Sequence, residues 1–433
     1  MIMHAGFSVL LLLFLLGVGV PVAWSFAGTL LMLTLVYDVN LNTLMLQGFR
    51  SLNSLVLLAL PLFIMAGYLM QAGGIAHRLV GFAEMLVKNR RGGMGASMVL
   101  ASGVFGAISG TASAAVASIG TILVDPMEQR GYPRQYSAAL LGISSLLGIL
   151  IPPSITMILF AVVTQQSVVA CFAATIGPGL LLMSGLILFN YVVAGRWFKE
   201  SPAQPADEAK GRSSLKTLLY AIPALCIPAL ILGGIYGGIF TPTEAAAVAV
   251  VLVIGIGCFV YRELSMRKLC DSFVRTAETT GTVILILLFS FLIGRILVAQ
   301  GVPQDLTTFV TGLVDSPIGI LLMVNVFLIL VGMIIDDVSL TVVVAPLLLP
   351  LVGVADVSPV QFAAIVACAV IVGSNSPPMA PVLYMSCRIS KVAVHRSFGP
   401  AIAMIVFVAI PIQLITTFVP AVSLAFPRML GLL

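Results

Sequence analysis

Four short stretches interrupt the apolar run of this 433-residue chain with oxygen-bearing side chains: Ser109 to Ser113 (SGTAS), Ser144 to Ser154 (SSLLGILIPPS), Asp336 to Thr341 (DDVSLT) and Gly373 to Pro378 (GSNSPP). In each, small or proline residues release backbone carbonyls, and Ser, Thr, Asn or Asp supply side-chain oxygens. Hard cations take oxygen donors, and helices that stop at membrane depth offer carbonyls to a cation and N–H groups to an anion. Sodium together with an organic anion is therefore the chemistry these stretches suit. Close packing and kinking explain any one of them alone; four in repeat-related pairs favour an ion and substrate site. Asp336 and Asp337 are the costliest members, because a carboxylate within a bilayer needs a partner or a cavity. A cation or a proton fits that need.

Other candidates have local explanations. Thr241 to Glu244 (TPTE) has Thr at the N-cap, Pro at N1 and Glu at N3, which is a capping box. Gly106 to Gly110 (GAISG) is not GxSxG, and neither His77 nor His395 is placed as its base, so hydrolase chemistry fails. Arg295, in FLIGRILVAQG, has the charge for a carboxylate anchor, but its place near a span end favours snorkelling or a structural pair. The three histidines are scattered, and the six cysteines lie mostly in apolar segments with no CxxC pair, as small core residues do.

The elements that must hold these stretches are membrane helices. The chain is 60% hydrophobic and 9% charged, with mean hydropathy +1.17, far from the roughly quarter-charged make-up of soluble domains. Segments such as Leu52 to Met70, Gln166 to Ala194, Leu215 to Ile235 and Ala245 to Tyr261 suit the roughly 20 helical residues that a crossing needs. They are too long, and too free of alternation, for a β-barrel. Phe7 to Tyr37 is read as retained span, being too long for a signal-peptide core. The net charge of +5 is a topology signal, not a sign of nucleic acid. The fold class is an all-α polytopic membrane protein.

Sliding one half of the chain over the other by 226 positions aligns Gly106 with Gly332 (332 − 106) and Pro133 with Pro359; with one residue removed, Pro152-Pro153 falls on Pro377-Pro378. The same offset sets GAISGTASAAVASIGTILVDPM against GMIIDDVSLTVVVAPLLLPLVG, each with polar residues between two apolar arms. Basic residues on both flanks of the first (Lys88, Arg90 and Arg91; Arg130 and Arg134) place both its ends in the cytoplasm, so it is a re-entrant hairpin. From Ile296 to Cys387 there is no Lys or Arg, so the second hairpin opens outward and the repeats are inverted. The expected organisation is an N-terminal span or spans over 1–50, a first repeat over 51–198 with its hairpin at about 94–127, and a cytoplasmic loop over 199–216. Scaffold spans follow over 217–276, then a second repeat over 277–433 with its hairpin at about 318–352. About nine spans plus two hairpins result. Gly73 to Val87 and Gly301 to Leu313 read as interfacial or connecting arms.

The run LPLFIMAGYLMQAGGIAHRLV, the first hairpin, the IPPS at Ile151 to Ser154 and FTPTEAAAVAV resemble the large membrane subunit of tripartite ATP-independent periplasmic (TRAP) transporters, and the resemblance covers nearly the whole chain. It implies an elevator-type transporter driven by sodium in a bacterial inner membrane. It further implies a small membrane subunit as a separate chain, a periplasmic substrate-binding protein and a small carboxylate substrate such as a dicarboxylate, keto acid or sialic acid. Carried over, the sodium sites fall on Ser109, Thr111, Ser113 and Gly148, and on Asp336, Asp337, Ser374 and Asn375; substrate contacts fall on Ser109, Ser154, Asn375 and Ser376. Asp336-Asp337 and SPPMAP depart from the family's Asp-Pro and TPPxG. The alternatives are a stand-alone sodium or proton symporter of the same fold, and a membrane scaffold or intramembrane enzyme.

Overall fold

A computed structural model of the chain describes residues 2–87, 91–196, 198 and 214–433. Most of the polar loop expected over 199–216, with Lys88 and Arg90, lies outside the described residues. The described residues form helices and no strand. Seven helices are long and apolar enough to cross a membrane, or eight if the bent pair Arg134–Leu150 and Ile155–Thr164 is one span; Val22–Val36, Pro317–Gly332 and Pro359–Asn375 are among shorter apolar ones. Large side chains such as Trp24, Leu35, Val251 and Phe259 point outward. In a bilayer that surface faces lipid tails, so the helices need no polar exterior.

The hairpins appear as helix pairs around sharp tips. The first comprises Gly93–Ser109 and Ala112–Gln129, turning at Gly110, whose φ of +62° is a conformation glycine adopts without penalty. In the second, Pro317–Gly332 is followed by an arm from Asp337 to Val354 that widens into a π-turn over Leu340–Val344. Each hairpin is followed by a broken helix: Arg134–Leu150 with Ile155–Thr164, and Pro359–Asn375 with Pro381–Ile389. The Pro152-Pro153 and Pro377-Pro378 bonds at the two breaks are both cis. Amphipathic helices Ile75–Val87 and Val302–Leu313 precede the hairpins at equivalent places. The capping box at Thr241 is formed, with the Glu244 carboxylate accepting from Thr241 N–H at 2.8 Å.

Amide side chains fasten both hairpins. Asn190, on Val168–Arg196, donates to the Gly92 carbonyl at 2.6 Å and accepts from the Tyr136 hydroxyl at 3.1 Å. In the second repeat Asn325 accepts from Gln413 at 2.5 Å and from Thr417 at 3.1 Å. These buried groups need partners, so they fix which helices meet. The two broken helices are themselves joined. Ser386 Oγ donates to the Ala138 carbonyl at 2.8 Å, and Arg134 donates to the Ser390 carbonyl at 3.1 Å.

Two expected boundaries fall inside helices. Met266–Ala299 is one continuous 34-residue helix, about 51 Å at 1.5 Å per residue, so a division between 276 and 277 would cut a single element. The division between 50 and 51 likewise falls inside Leu41–Leu52. Composition changes at both points without any break in helical backbone.

Candidate functional site

In each repeat a glycine of the hairpin's first arm crosses a glycine of the broken helix. A Cβ on Gly106 would fall on the Cα of Gly148 and lie 2.7 Å from its nitrogen; a Cβ on Gly373 would lie 2.6 Å from the Gly332 carbonyl oxygen and 2.7 Å from its Cα. A side chain on Gly106 or on Gly373 would run into the partner's backbone. The close approach seats each hairpin against its broken helix.

At the first tip, Ile155 N–H donates to the Gly110 carbonyl at 3.4 Å, and a Cβ on Gly148 would sit 3.5 Å from the Thr111 carbonyl oxygen. Ser109 is buried, and its hydroxyl points to the Thr111 carbonyl at 3.5 Å. Ser109, Thr111 and Gly148 are therefore brought together, with Gly110 and the Pro153 carbonyl beside them. Ser113 is exposed, the second residue of the second arm, and so does not share the buried environment of Ser109. Ser154 begins Ile155–Thr164 without capping it, and its buried hydroxyl has no hydrogen-bond partner.

At the second tip, the two aspartates take different roles. Asp336 is the N-cap of its own arm: its carboxylate accepts from Ser339 Oγ at 2.5 Å and Ser339 N–H at 3.3 Å. Local helix chemistry accounts for that arrangement. Asp337 reaches across the repeats and accepts from Thr156 Oγ1, on the first broken helix, at 3.1 Å. The ion pairs among the described residues join Arg78 to Glu263 and Arg134 to Asp125 and Glu128, so neither tip aspartate has a basic partner there.

At the second break, two of the expected residues bond carbonyls of their own helix. Ser376 Oγ donates back to the Val372 carbonyl at 2.6 Å, and Asn375 Nδ2 to the Ile371 carbonyl at 3.3 Å. Ser374 is buried. Asn375 Oδ1 is buried without a partner and faces the first broken helix, 2.8 Å from where a Cβ on Gly142 would lie. The donors at both tips are oxygens alone, which fits a hard cation.

Sequence reasoning missed Thr156, Gly67 and the Gly332–Gly373 crossing. Gly67, on Ala59–Ala72, packs against Ser109, with a virtual Cβ 3.2 Å from the serine Cβ. Its signal was a lone small residue inside an apolar span. The Gly332–Gly373 crossing was legible in the repeat offset, since Gly332 aligns with Gly106.

Oxygen donors gathered at two helix-hairpin tips and carried on apolar helices belong to the class of multi-pass membrane transporters. Residues 9–422 match the family described as "Tripartite ATP-independent periplasmic transporter, DctM component". The chain belongs to this family, as a large permease, and is a multi-pass protein of the inner membrane. It is 34% identical to the C4-dicarboxylate TRAP transporter large permease protein DctM of Pseudomonas aeruginosa, over 91% of each chain. It is 30% identical to the sialic acid TRAP transporter large permease protein SiaM of Vibrio cholerae, over 96% of each. Against the isethionate TRAP transporter permease protein DctMQ of Oleidesulfovibrio alaskensis it is 34% identical over 94% of its length, while spanning 64% of that protein. The crystal structure of the Alcanivorax borkumensis YdaH transporter shares the fold at TM-score 0.55 and 12% identity, over 87% of this chain and 90% of that one.

Proposed function

We propose that the chain imports a small organic anion by sodium symport, working with a separate small membrane subunit and a periplasmic binding protein. The observation that carries the reading is the pair of tip carboxylates, half-buried and held by hydroxyl groups, with no basic partner among the described ion pairs. A cation supplies the charge that such a site lacks. The partnerless Ser154 hydroxyl and Asn375 carbonyl support it, because buried polar groups ordinarily have partners and these two are free for ion, substrate or water. The substrate class follows from the relatives, whose names specify C4-dicarboxylate, sialic acid and isethionate, all organic anions. The joined broken helices and hairpins suit one body that moves as an elevator against the helices around Thr217–Tyr236 and Pro242–Val260.

The test is uptake into proteoliposomes against external sodium, with the small subunit and loaded binding protein present. Asp337→Ala should raise the sodium concentration for half-maximal uptake before abolishing transport, and linkage requires the same factor in substrate affinity where the two are coupled. Wild-type uptake that ignores sodium and follows a pH gradient would overturn the ion assignment, leaving Asp336 and Asp337 as proton carriers.

A further inference from the structure

A cavity of about 550 Å³ lies near the C-terminal end of the long helix Met266–Ala299, away from both tip glycine crossings. One wall is that helix with Gln47 of Leu41–Leu52; the opposite wall is Val343 and Pro346 of the second hairpin and the end of the first broken helix. The lining is largely apolar and contains no acidic side chain. Its one cation is Arg295, whose Nη1 donates to Gln47 Oε1 at 2.7 Å. Deeper along the same helix, Ser290 also lines the cavity, 1% exposed, and its hydroxyl has no hydrogen-bond partner.

We infer that this cavity is an anion site, in which Arg295 holds a carboxylate or sulfonate and Ser290 donates a second hydrogen bond. A guanidinium carries five N–H donors in a planar fork suited to such groups, and Gln47 occupies one of them. Arg295 is in none of the ion pairs among the described residues, so its charge is uncompensated there. It is also the last cation before the stretch Ile296 to Cys387, which holds none. A purely structural Arg295–Gln47 pair would leave the buried Ser290 hydroxyl unexplained. Because one wall is hairpin and the other is long helix, relative movement of the two would take the site apart and release the anion. Only the identity of the anion, as transported substrate, rests on the proposed function.

Gly294 gives a clean test, since a Cβ added there meets nothing within 4 Å and a larger side chain has room to grow into the cavity. The measurement is thermal unfolding of the purified full-length chain in lipid nanodiscs, titrated with succinate, isethionate or N-acetylneuraminate, with butane-1,4-diol as the neutral control. At least one anion should stabilise the wild type saturably, and the diol should not. Arg295→Gln should weaken that binding at least tenfold and Ser290→Ala several-fold, while Gly294→Leu should abolish it without lowering the unfolding temperature of the unliganded protein. Equal half-saturation in wild type, Arg295→Gln and Gly294→Leu overturns the inference, as does a wild type that none of the three anions stabilises. Sodium-driven uptake unaltered by Gly294→Leu removes this site and leaves the transport reading standing. Arg295-dependent anion binding in a protein that never couples to sodium does the reverse.

Discussion

The glycine crossings make opposite demands on residues that sequence alone treats alike. At the second crossing, a Cβ on Gly373 would press into the backbone of Gly332, at 2.6 Å from its oxygen and 2.7 Å from its Cα. Backbone cannot rotate aside, so the helices must separate, and overpacking of this kind costs about 1–3 kcal/mol. A Cβ on Gly332 finds Leu340 Cδ1 at 3.4 Å, Gly373 Cα at 3.5 Å and the Ala369 oxygen at 3.6 Å, all ordinary contacts. Replacing glycine by alanine inside a helix otherwise gains roughly 0.5–1 kcal/mol. Gly373→Ala should therefore be less stable than Gly332→Ala by about 1–3 kcal/mol, the helix gain being common to both. Unfolding of the purified variants in detergent, monitored by helical circular dichroism, measures the difference. The sodium midpoint of uptake should rise for Gly373→Ala alone, because that variant moves the tip off its break. Two variants of equal stability, or a Gly373→Ala more stable than Gly332→Ala, would refute the argument that backbone contact sets this geometry.

Thr156→Val removes the donor to the Asp337 carboxylate, a bond to a charged group that contributes about 1.5–3 kcal/mol; a double-mutant cycle with Asp337→Asn in the same unfolding assay should be strongly non-additive. Asn190→Leu takes the partner from the buried Tyr136 hydroxyl and one of two donors from the Gly92 carbonyl, which keeps the Ala96 N–H; at about 1–3 kcal/mol for the hydroxyl left unsatisfied it should lower the unfolding temperature without moving the sodium midpoint. For topology, cysteines introduced at Asp315 or Asp356 should react with impermeant thiol reagents in intact cells, and those at Arg91 or Arg130 should not; equal labelling would reverse the inverted arrangement.

The apolar run lengths and the polar interruptions show in the sequence because they follow from one-dimensional periodicity and composition. The hairpin tips show for the same reason: Gly110 and Asp336 each stand where two apolar arms meet. What composition could not show is continuity. Met266–Ala299 begins with Arg267, Lys268 and Asp271 and becomes largely apolar further on, so its change of character resembles a boundary although the helix runs through. Side-chain direction was equally out of reach. Ser109 and Ser113 lie four residues apart, yet the αL turn at Gly110 breaks the helical phase between them, and one is buried while the other is exposed. Asp336 and Asp337 are neighbours in sequence, but the cap position turns one carboxylate onto its own helix and leaves the next free to cross to Thr156.

That crossing changes how the two tips relate. An alignment of repeats pairs each hairpin with the broken helix that follows it, and the first tip obeys that pairing through the Ile155–Gly110 hydrogen bond. Thr156 is the next residue along, and it is the one that Asp337 of the other repeat holds. The start of Ile155–Thr164 is therefore gripped by both hairpins, through adjacent residues, on one rigid turn of helix. A cation drawing the Asp337 carboxylate toward itself must either release Thr156 or pull the helix start with it, and Ile155 shares that motion with the first tip. Coupling between two tip sites then needs no long pathway: a shift at one is felt at the other across a single residue of helix, and Thr156→Val should uncouple them while leaving each set of oxygen donors in place.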